Sequence, residues 1–514
     1  MVENVAVPRQ PAPHLSGIYF ISPTDDSVRA LLADFSRARG PPQYKAVHVY
    51  FSSAADPRHV AAIRDCPRLL SRLGTLKEVN LEYLLYPDNR SFTTAQDGAL
   101  GAFFGAGVDS SERYRADVEA TATRLATVFT TMKEFPSIRY RAALPPGEEY
   151  PPGLESRLLV AQRLAVELHE RLGEAQRAGQ VPERETCELV ITDRGFDPVA
   201  PVIHEWTYQA MVHDLLEGSP ALKGKVFSFE SHTQGGRAER RDAVLDERDA
   251  LFGELRHRHF ADASLRISAR MDELARRSRA APHAAAGVRD LDLRAMAKLV
   301  QALPQYRDQL AALGVHVELA SVLNRLIEQH RLADVGKVEQ DLVYGDATSK
   351  EVIALLSANQ MLPAADKLRL LMCYSATHQE KLDATRAAQW QKVARLSAAD
   401  MATLTNLELL GVPVVKRRGA GGLGAITFGR MKRRRALRKD REPDEDDQRF
   451  ALTRFVPLLA EVVEDAASGR LSQDEYPYVR PPSSPSAAGG AGSSGRTAGA
   501  GAAASSPSSS AASR

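Results

Sequence analysis

Between Glu188 and Leu216 the chain reads ELVITDRGFDPVAPVIHEWTYQAMVHDLL, and this stretch restricts the available folds more than any other. Leu189, Val190 and Ile191 form a short apolar run, the pattern of a strand buried on both faces in a parallel sheet. Asp193-Arg194-Gly195-Phe196-Asp197-Pro198 ends that run with turn-forming residues. Pro201 suits the first turn of a helix, where its missing N–H costs nothing. Ile203, Trp206, Ala210, Met211 and Leu215 then recur at helical spacing, which predicts a helix with one apolar face from Pro201 onward.

The same alternation runs earlier in the chain. Gly17 to Ile21, Ala46 to Phe51 and Val79 to Leu85 read as strands, with helices at Ser27 to Phe35 and Val60 to Leu73 between them. Strand, helix, strand, helix, strand predicts a parallel α/β layer. Helices at Val118 to Lys133 and Leu154 to Ala178 flank the segment Phe135-Pro136-Ser137-Ile138-Arg139-Tyr140. From Glu217 to Val415 the period is mostly helical, with Leu251, Phe252, Leu255 and Phe260 on one face. A helix over Leu291 to Leu303 is interrupted by Pro304, which lacks an N–H and clashes with the preceding turn. Leu310, Leu313 and Val317, then Leu319, Leu323 and Ile327, continue the period, and more helices follow from Lys350 to Thr405. Lys416 to Arg441 is rich in Gly, Lys and Arg and adjoins the acidic run Asp444 to Asp447, which reads as a solvated, flexible insertion. Arg449 to Glu464 reads as an amphipathic helix. Arg480 to Arg514 holds too little large apolar surface to fold.

These readings divide the chain into an irregular arm (1–14), a partial α/β domain (15–88), the first part of a second α/β domain (89–216) and a mainly helical domain (217–415). A basic and acidic loop (416–448), a segment returning toward the second domain (449–479) and a disordered tail (480–514) follow. A length of 514 residues agrees with about three domains of roughly 150 residues each.

Composition removes several functional classes. A formal net charge of +2 gives no global argument for a nucleic-acid partner. Cys66, Cys187 and Cys373 are far apart, odd in number and without metal-ligand spacing, so neither a disulfide framework nor a zinc site is expected, and a reducing cytosol fits. No apolar run of about 18 residues occurs, and MVENVAVPRQPAPHL lacks a secretory pattern, so any work at a membrane is expected through peripheral recruitment.

Several residues invite chemistry. Asp193 and Arg194 lie at the C-terminal end of the apolar strand, where α/β proteins often place active sites, and Asp193 with Asp197 makes a potential carboxylate pair. The opposing and preferred reading is that Asp197 caps a turn and Arg194 forms an internal ion pair. His204 and His213 around Glu205 do not match HExxH and do not share a helical face, so packed or exposed histidines are preferred over metal ligands. Gly419, Gly421 and Gly424 mimic a dinucleotide fingerprint, with Asp440 at the distance of a ribose acid; Lys416-Arg417-Arg418 interrupts the motif and no second strand closes it. The phosphate-loop mimic at Gly490 to Thr497 lies in the tail and has no flanking strand or helix.

The cluster Arg430, Lys432, Arg433, Arg434, Arg435, Arg438 and Lys439 is a local positive charge that suits anionic lipid, an acidic partner, a nuclear signal or a solvated loop. Around Pro304 one sequence can be bent or continuous, and Leu310 and Val317 face either the core or a partner. No coherent nucleophile, base and orienter appear, so no catalytic residue, metal or cofactor is assigned. An α/β nucleotide-binding enzyme stands as the alternative reading.

The segment DRGFDPVAPVIHEWTYQAMVHDLL closely resembles the signature of the SM family, syntaxin-binding proteins that regulate SNARE-driven vesicle fusion. LSGIYFISPTDDSVRALLADF, YKAVHVYF, MKEFPSIRYR, LPQYRDQLAALGVHVELA, KVEQDLVYG, NLELLGVPVV and RFALTRFVPLLAEVVED agree with it in order, from about Leu15 to about Tyr478. The resemblance implies an α/β plus α fold: a three-domain arch with parallel-sheet domains 1 and 2 and a largely helical domain 3. Family members carry further strands before GIYFISP and after the last matching segment, so it also implies truncation at both ends.

The resemblance further implies a non-enzymatic regulator of vesicle docking and fusion that binds syntaxin and templates SNARE assembly. Its expected partners are a syntaxin-type SNARE, the assembled SNARE complex and a vesicle SNARE, with an anionic membrane surface as a further candidate. It would act as a cytoplasmic monomer recruited to plasma or vesicle membranes. By residue match Pro304 becomes a hinge, and Tyr306, Leu310 and Val317 meet the SNARE. Asp193, Arg194, Asp197, Pro198, Pro201, His204 and Glu205 become structural signature residues. The family often has Ser where Ala200 stands, and loss of a helix cap there is expected to cost about 1 kcal/mol.

Overall fold

Alternating apolar residues build the first layer. The computed structural model describes residues 2–36, 42–85, 91–94, 98–108, 111–144, 155–232, 238–279, 307–378, 384–412 and 450–482. Strand β1 (Ala12–Ile21), helix α1 (Asp25–Ser36), β2 (Tyr44–Phe51), α2 (Pro57–Arg64), α3 (Pro67–Leu70) and β3 (Leu73–Glu78) form a parallel sheet of order β1-β2-β3 with its helices. Tyr19, Ile21, Val47, Val49 and Phe51 point to one face and pack on Val28, Leu31 and Phe35 of α1 and on Ile63 and Leu69.

Three details differ from the sequence reading. The first strand begins at Ala12 inside the arm, and the arm is anchored: Val5 packs on this core and the Arg9 guanidinium pairs with Asp34, which also accepts from the Tyr19 hydroxyl at 2.7 Å. The expected helix over Val60 to Leu73 is two helices, because Pro67 starts a new one at its first position. The third parallel strand is therefore Leu73–Glu78 rather than Val79 to Leu85; Leu84–Leu85 is instead β4, antiparallel to β5 (Phe92–Thr93).

The second layer follows from α4 (Ala99–Phe104), α5 (Glu112–Met132), β6 (Pro136–Tyr140), α6 (Glu155–Leu158), α7 (Val160–Arg177) and β7 (Cys187–Ile191). Ser111 caps α5 by accepting from Tyr114 N, and Lys133 ends that helix in the left-handed region. Parallel strands β6 and β7 and helices α5 and α7 enclose Ala122, Phe129, Ile138, Ala165, Leu168, Leu172 and Ile191. Residues 477–479 lie along the other edge of β6. Tyr140 N donates to Pro477 O at 3.2 Å, and Val479 N donates to Ile138 O at 2.9 Å. The buried Arg139 guanidinium donates to the carbonyls of Tyr476, Leu471 and Ser472 at 2.8, 2.9 and 3.0 Å and lies over the Tyr478 ring.

Beyond β7 come α8 (Tyr208–Leu216), β8 (Leu222–Lys223), β9 (Val226–His232), β10 (Ala238–Val244), α9 (Ala250–Leu255), α10 (Phe260–Arg279), α11 (Arg307–Gln329), α12 (Leu332–Tyr344), α13 (Ser349–Ala358), α14 (Ala364–Thr377), α15 (Ala384–Ala394), α16 (Ala398–Thr405), α17 (Phe450–Thr453) and α18 (Leu458–Ala467). Strands β8 to β10 make an antiparallel sheet inside a stretch read as helical. Phe227 and Phe229 alternate with polar residues there, and only Phe227 is fully buried.

The expected helix over Arg449 to Glu464 is broken as well. Phe455 N donates to the Gln340 side chain at 2.7 Å, and the Tyr344 hydroxyl donates to Arg454 O at 2.7 Å, so this segment runs extended beside α12 until Pro457 starts α18. One core gathers Tyr374, Trp390, Leu370 and Leu356, and another gathers Trp206, Tyr208, Phe252, Leu319 and Leu323. The sequence readings at Leu291 to Leu303, Pro304, Tyr306 and Lys416 to Arg441 lie outside the described residues, as does the tail from residue 483.

Candidate functional site

The loop after β7 satisfies its own backbone before anything else. Arg141 Nη1 donates to both Asp193 carboxylate oxygens at 2.9 Å, and Gly195 N donates to Asp193 Oδ1 at 2.8 Å. A Cβ at Gly195 would lie 2.8 Å from the Leu410 carbonyl oxygen, so glycine here permits a close backbone approach and its N–H is already taken. Asp197 is 2% exposed. Its Oδ1 accepts from Val199 N and Ala200 N at 3.3 and 3.4 Å, and its Oδ2 accepts from Leu458 N at 3.0 Å. The two carboxylates are thus committed to the chain and do not converge on a substrate.

Arg194 is exposed and donates to the Asp197 carbonyl at 2.9 Å; the ion pair expected of it belongs to Arg141 and Asp193 instead. Pro198 is buried and Pro201 exposed in a turn closed by Val202 N and Ile203 N on Val199 O. The helix expected from Pro201 begins only at Tyr208, because His204 N donates to Glu339 Oε2 at 2.9 Å rather than to a carbonyl one turn back. Position 200 is therefore no helix cap, and Asp197 does the capping that a serine there was expected to do. Glu205 is exposed and accepts from Trp206 N at 2.9 Å.

His204 is the centre of a buried charge cluster. Its Nδ1 lies 2.9 Å from Glu339 Oε1 on α12, and its Nε2 lies 3.6 Å from Asp366 Oδ1 on α14. His330 Nδ1, just past α11, lies 2.9 Å from Asp366 Oδ2. Arg369 faces the same loop, donating to Val202 O at 2.8 Å and Ile203 O at 3.2 Å while gripping Asp214 at 2.8 Å. Burial pushes the His204 pKa down, but Glu339 and Asp366 outweigh it and carry it up to about 9. Among the described residues no group of His, Cys, Asp and Glu has the arrangement of a metal site. His204, Glu339 and Asp366 form a charged keystone that pins the loop to two helices.

Trp206 completes the loop's anchorage. A Cβ at Gly336 of α12 would lie 3.0 Å from the Trp206 ring, so that glycine admits the indole. The sequence reading did not single out Glu339, Asp366, His330 or Arg369, and it named Arg139 only within the segment Phe135 to Tyr140, without a role. The visible signal for Glu339 was a carboxylate between Val335 and Leu342 on an apolar helical face; for the others the partners are too distant in sequence to be paired by inspection.

Helix α11 carries the described part of the expected grip. Leu313, Leu319 and Leu323 are buried in the core, whereas Val317 is half-buried against it. Leu310 is on the helix, but its side chain lies outside the described residues, as do Pro304, Tyr306 and the basic cluster Arg430, Lys432, Arg433, Arg434 and Arg435. His316, fully buried, contacts the Tyr208 hydroxyl at 2.9 Å through Nδ1 and Asp249 Oδ2 at 3.0 Å through Nε2. Burial works against the Asp249 carboxylate, but His316 and the N–H groups of Phe252 and Leu251 hold its pKa below the usual value. No helix among the described residues is long and apolar enough to cross a membrane.

Known proteins match this arrangement along nearly its whole length. The model of the Sec1 family matches residues 1–514. A protein named probable protein transport Sec1a, from Oryza sativa subsp. japonica, is 38% identical over 486 residues, covering 94% of this chain and 71% of its own. SNARE-interacting protein KEULE of Arabidopsis thaliana is 38% identical over 487 residues, covering 94% of this chain and 71% of its own. Among solved structures, Unc18 in its complex with syntaxin 1 from Monosiga brevicollis superposes with a TM-score of 0.74 at 25% identity, over 93% of this chain and 79% of that one.

Proposed function

The chain belongs to the Sec1 family, and on that premise we propose that it regulates SNARE-mediated vesicle docking and membrane fusion by binding a syntaxin-type SNARE and templating assembly of the SNARE bundle. The observation that carries this reading is the match along 94% of the chain to a relative named for interacting with SNAREs. The fold gives the reading a physical route. A helix-in-groove partner needs apolar side chains at helical spacing on a supported element, and α11 offers half-buried Val317 on such a helix.

In this reading the two parallel-sheet units and the helical unit make a three-domain arch. The segment hinged at Pro304, with Tyr306, Leu310 and Val317, is the grip, and the basic cluster from Arg430 to Arg435 contacts an anionic surface. The protein is a binding module rather than an enzyme and is recruited to membranes from the cytoplasm by its partners. The signature residues from Asp193 to Glu205 act as scaffold. Asp193, Asp197 and His204 being consumed by contacts within the chain supports that role.

The test is capture of the purified chain by a panel of immobilised syntaxin-type SNAREs and by assembled SNARE bundles. Saturable binding to at least one of them is expected. A folded protein that none of them retains overturns the proposal.

A further inference from the structure

Helix α11 carries more apolar surface than one core contact needs. At about 100° per residue, the apolar side chains between Leu313 and Ile327 spread over about 220° of its circumference, where an amphipathic helix needs a stripe of roughly 100°. Leu313, Leu319 and Leu323 are buried within that arc. Val315 and Val322 are half-buried at one edge of it, and Val317 is half-buried at the other. Apolar burial is non-directional, so an arc this wide does not by itself fix how the helix is turned about its axis.

One polar residue sits in the middle of the buried arc. His316 is fully buried, and both of its ring nitrogens meet partners on other elements. Nε2 lies 3.0 Å from Asp249 Oδ2; an ionised carboxylate only accepts, so Nε2 carries a hydrogen. Nδ1 lies 2.9 Å from the hydroxyl of Tyr208, itself fully buried. Tyr208 opens α8, and Asp249 caps α9 by accepting from Leu251 N and Phe252 N. The series Tyr208, His316, Asp249 therefore ties α11 to two other helices. Turning α11 by one residue would carry the imidazole away from both partners and strand the Tyr208 hydroxyl, a cost that apolar contacts do not recover. Single buried polar residues fix helix register in this way elsewhere.

We propose that His316, held between Tyr208 and Asp249, is a positioning residue that sets the rotation of α11 and so keeps Val317 at the accessible edge of the arc, where a SNARE helix meets it. This deepens the SNARE-binding reading and rests on it.

The test separates positioning from stability. Tyr208→Phe combined with His316→Leu removes both ends of the buried bond, and Asp249 keeps its two N–H donors. Apolar replacement of a buried polar network is commonly neutral or stabilising. Val315→Cys and Val317→Cys, each in the full chain with Cys66→Ala and Cys187→Ser, report the two edges of the arc by maleimide labelling. Buried Cys373 reports global opening in the same sample.

In the double variant, labelling at 315 and 317 should quicken about tenfold while Cys373 labelling and the urea midpoint hold, and capture by assembled SNARE bundles should weaken about tenfold. If the double variant does not fold, Tyr208→Phe alone, which removes a single oxygen, carries the same comparison. Unchanged labelling at both edges overturns the proposal. So does labelling that quickens only in step with Cys373, since His316 would then be a structural residue and nothing more. Faster labelling with undiminished SNARE capture overturns it too, because the rotation would not serve the grip. A native chain that captures no SNARE overturns the reading on which the proposal rests, and the labelling then judges the rotation alone.

Discussion

Replacing His204 with glutamine removes a buried positive charge while leaving Glu339 and Asp366 in place, and the structure sets the size and pH range of the effect. The His204 side chain is 3% exposed, so solvent screens it little. Its pKa stands near 9 in the folded chain against the ordinary 6.5, a difference worth about 3 kcal/mol at 1.36 kcal/mol per unit. A histidine whose folded pKa is raised stabilises fully below its unfolded pKa and loses that contribution as pH rises through the folded one. The contribution is therefore complete below pH 6.5 and fades between 6.5 and 9.

Five ionisable groups meet at this point: His204 from the loop, Glu339 from α12, Asp366 and Arg369 from α14, and His330 from the end of α11. Trp206 and Trp390, both buried, report unfolding of this region by fluorescence. Urea midpoints should fall for the native chain as pH rises from about 6.5 to 9.5, while those of His204→Gln should start lower and stay flatter. The gap between the two should shrink by about 3 kcal/mol over that range. A gap that stays constant, or widens toward alkaline pH, refutes a charged His204 between two carboxylates.

Other outcomes follow from particular contacts. Arg139→Met strands three carbonyls and should cost about 3–5 kcal/mol, read as a lowered urea midpoint. Gly195→Ala forces its methyl against the Leu410 carbonyl oxygen, where the backbone must shift; a loss of about 1–3 kcal/mol is expected in the same assay. Val317→Ala on α11 should weaken SNARE binding by about 1–2 kcal/mol without lowering the melting temperature by more than a few degrees. Pro304→Ala, which restores a backbone donor, should strengthen that binding by favouring a continuous helix. Calorimetry with ATP and NAD should detect no binding in the micromolar range, since Gly195 already spends its N–H on Asp193.

Local pattern made some elements legible and hid others. The strand at Leu189 to Ile191, the helix at Val118 to Lys133 and the turn capped by Asp197 were readable because propensity, period and turn chemistry agreed there, but the strand is not buried as expected: only Ile191 is, since among the described residues β7 pairs with β6 alone. The helix expected from Pro201 starts only at Tyr208 because a tertiary partner, Glu339, captures His204 N, and no local signal reports a carboxylate 135 residues away. The helix expected over Arg449 to Glu464 is split into α17 and α18 for the same kind of reason, since Gln340 and Tyr344 hold Phe455 and Arg454 out of it. Strands β9 and β10 were missed because charged residues such as Arg240, Arg241 and Asp242 obscure their alternation. The keystone around His204 was invisible as a cluster, though its histidine stood out within the signature.

Arg139 also sets an order of events during synthesis. Its three acceptors are 332 to 337 residues downstream. At roughly 5–20 residues per second, a ribosome needs about 15–70 s to deliver them. Throughout that interval the edge of β6 lacks residues 477–479 and the Arg139 guanidinium lacks its carbonyls, so the nascent second unit carries an incompletely covered strand edge, the kind of surface that chaperones shield. The intervening helices, whose contacts are mostly among themselves, can close their own cores meanwhile. The loop from Asp193 to His204 then holds the exit of that insert, and the bond from Leu458 N to Asp197 holds its re-entry, so residues 471–479 are delivered beside the strand they complete. Vectorial folding would make the second unit, though begun early, the last to be finished.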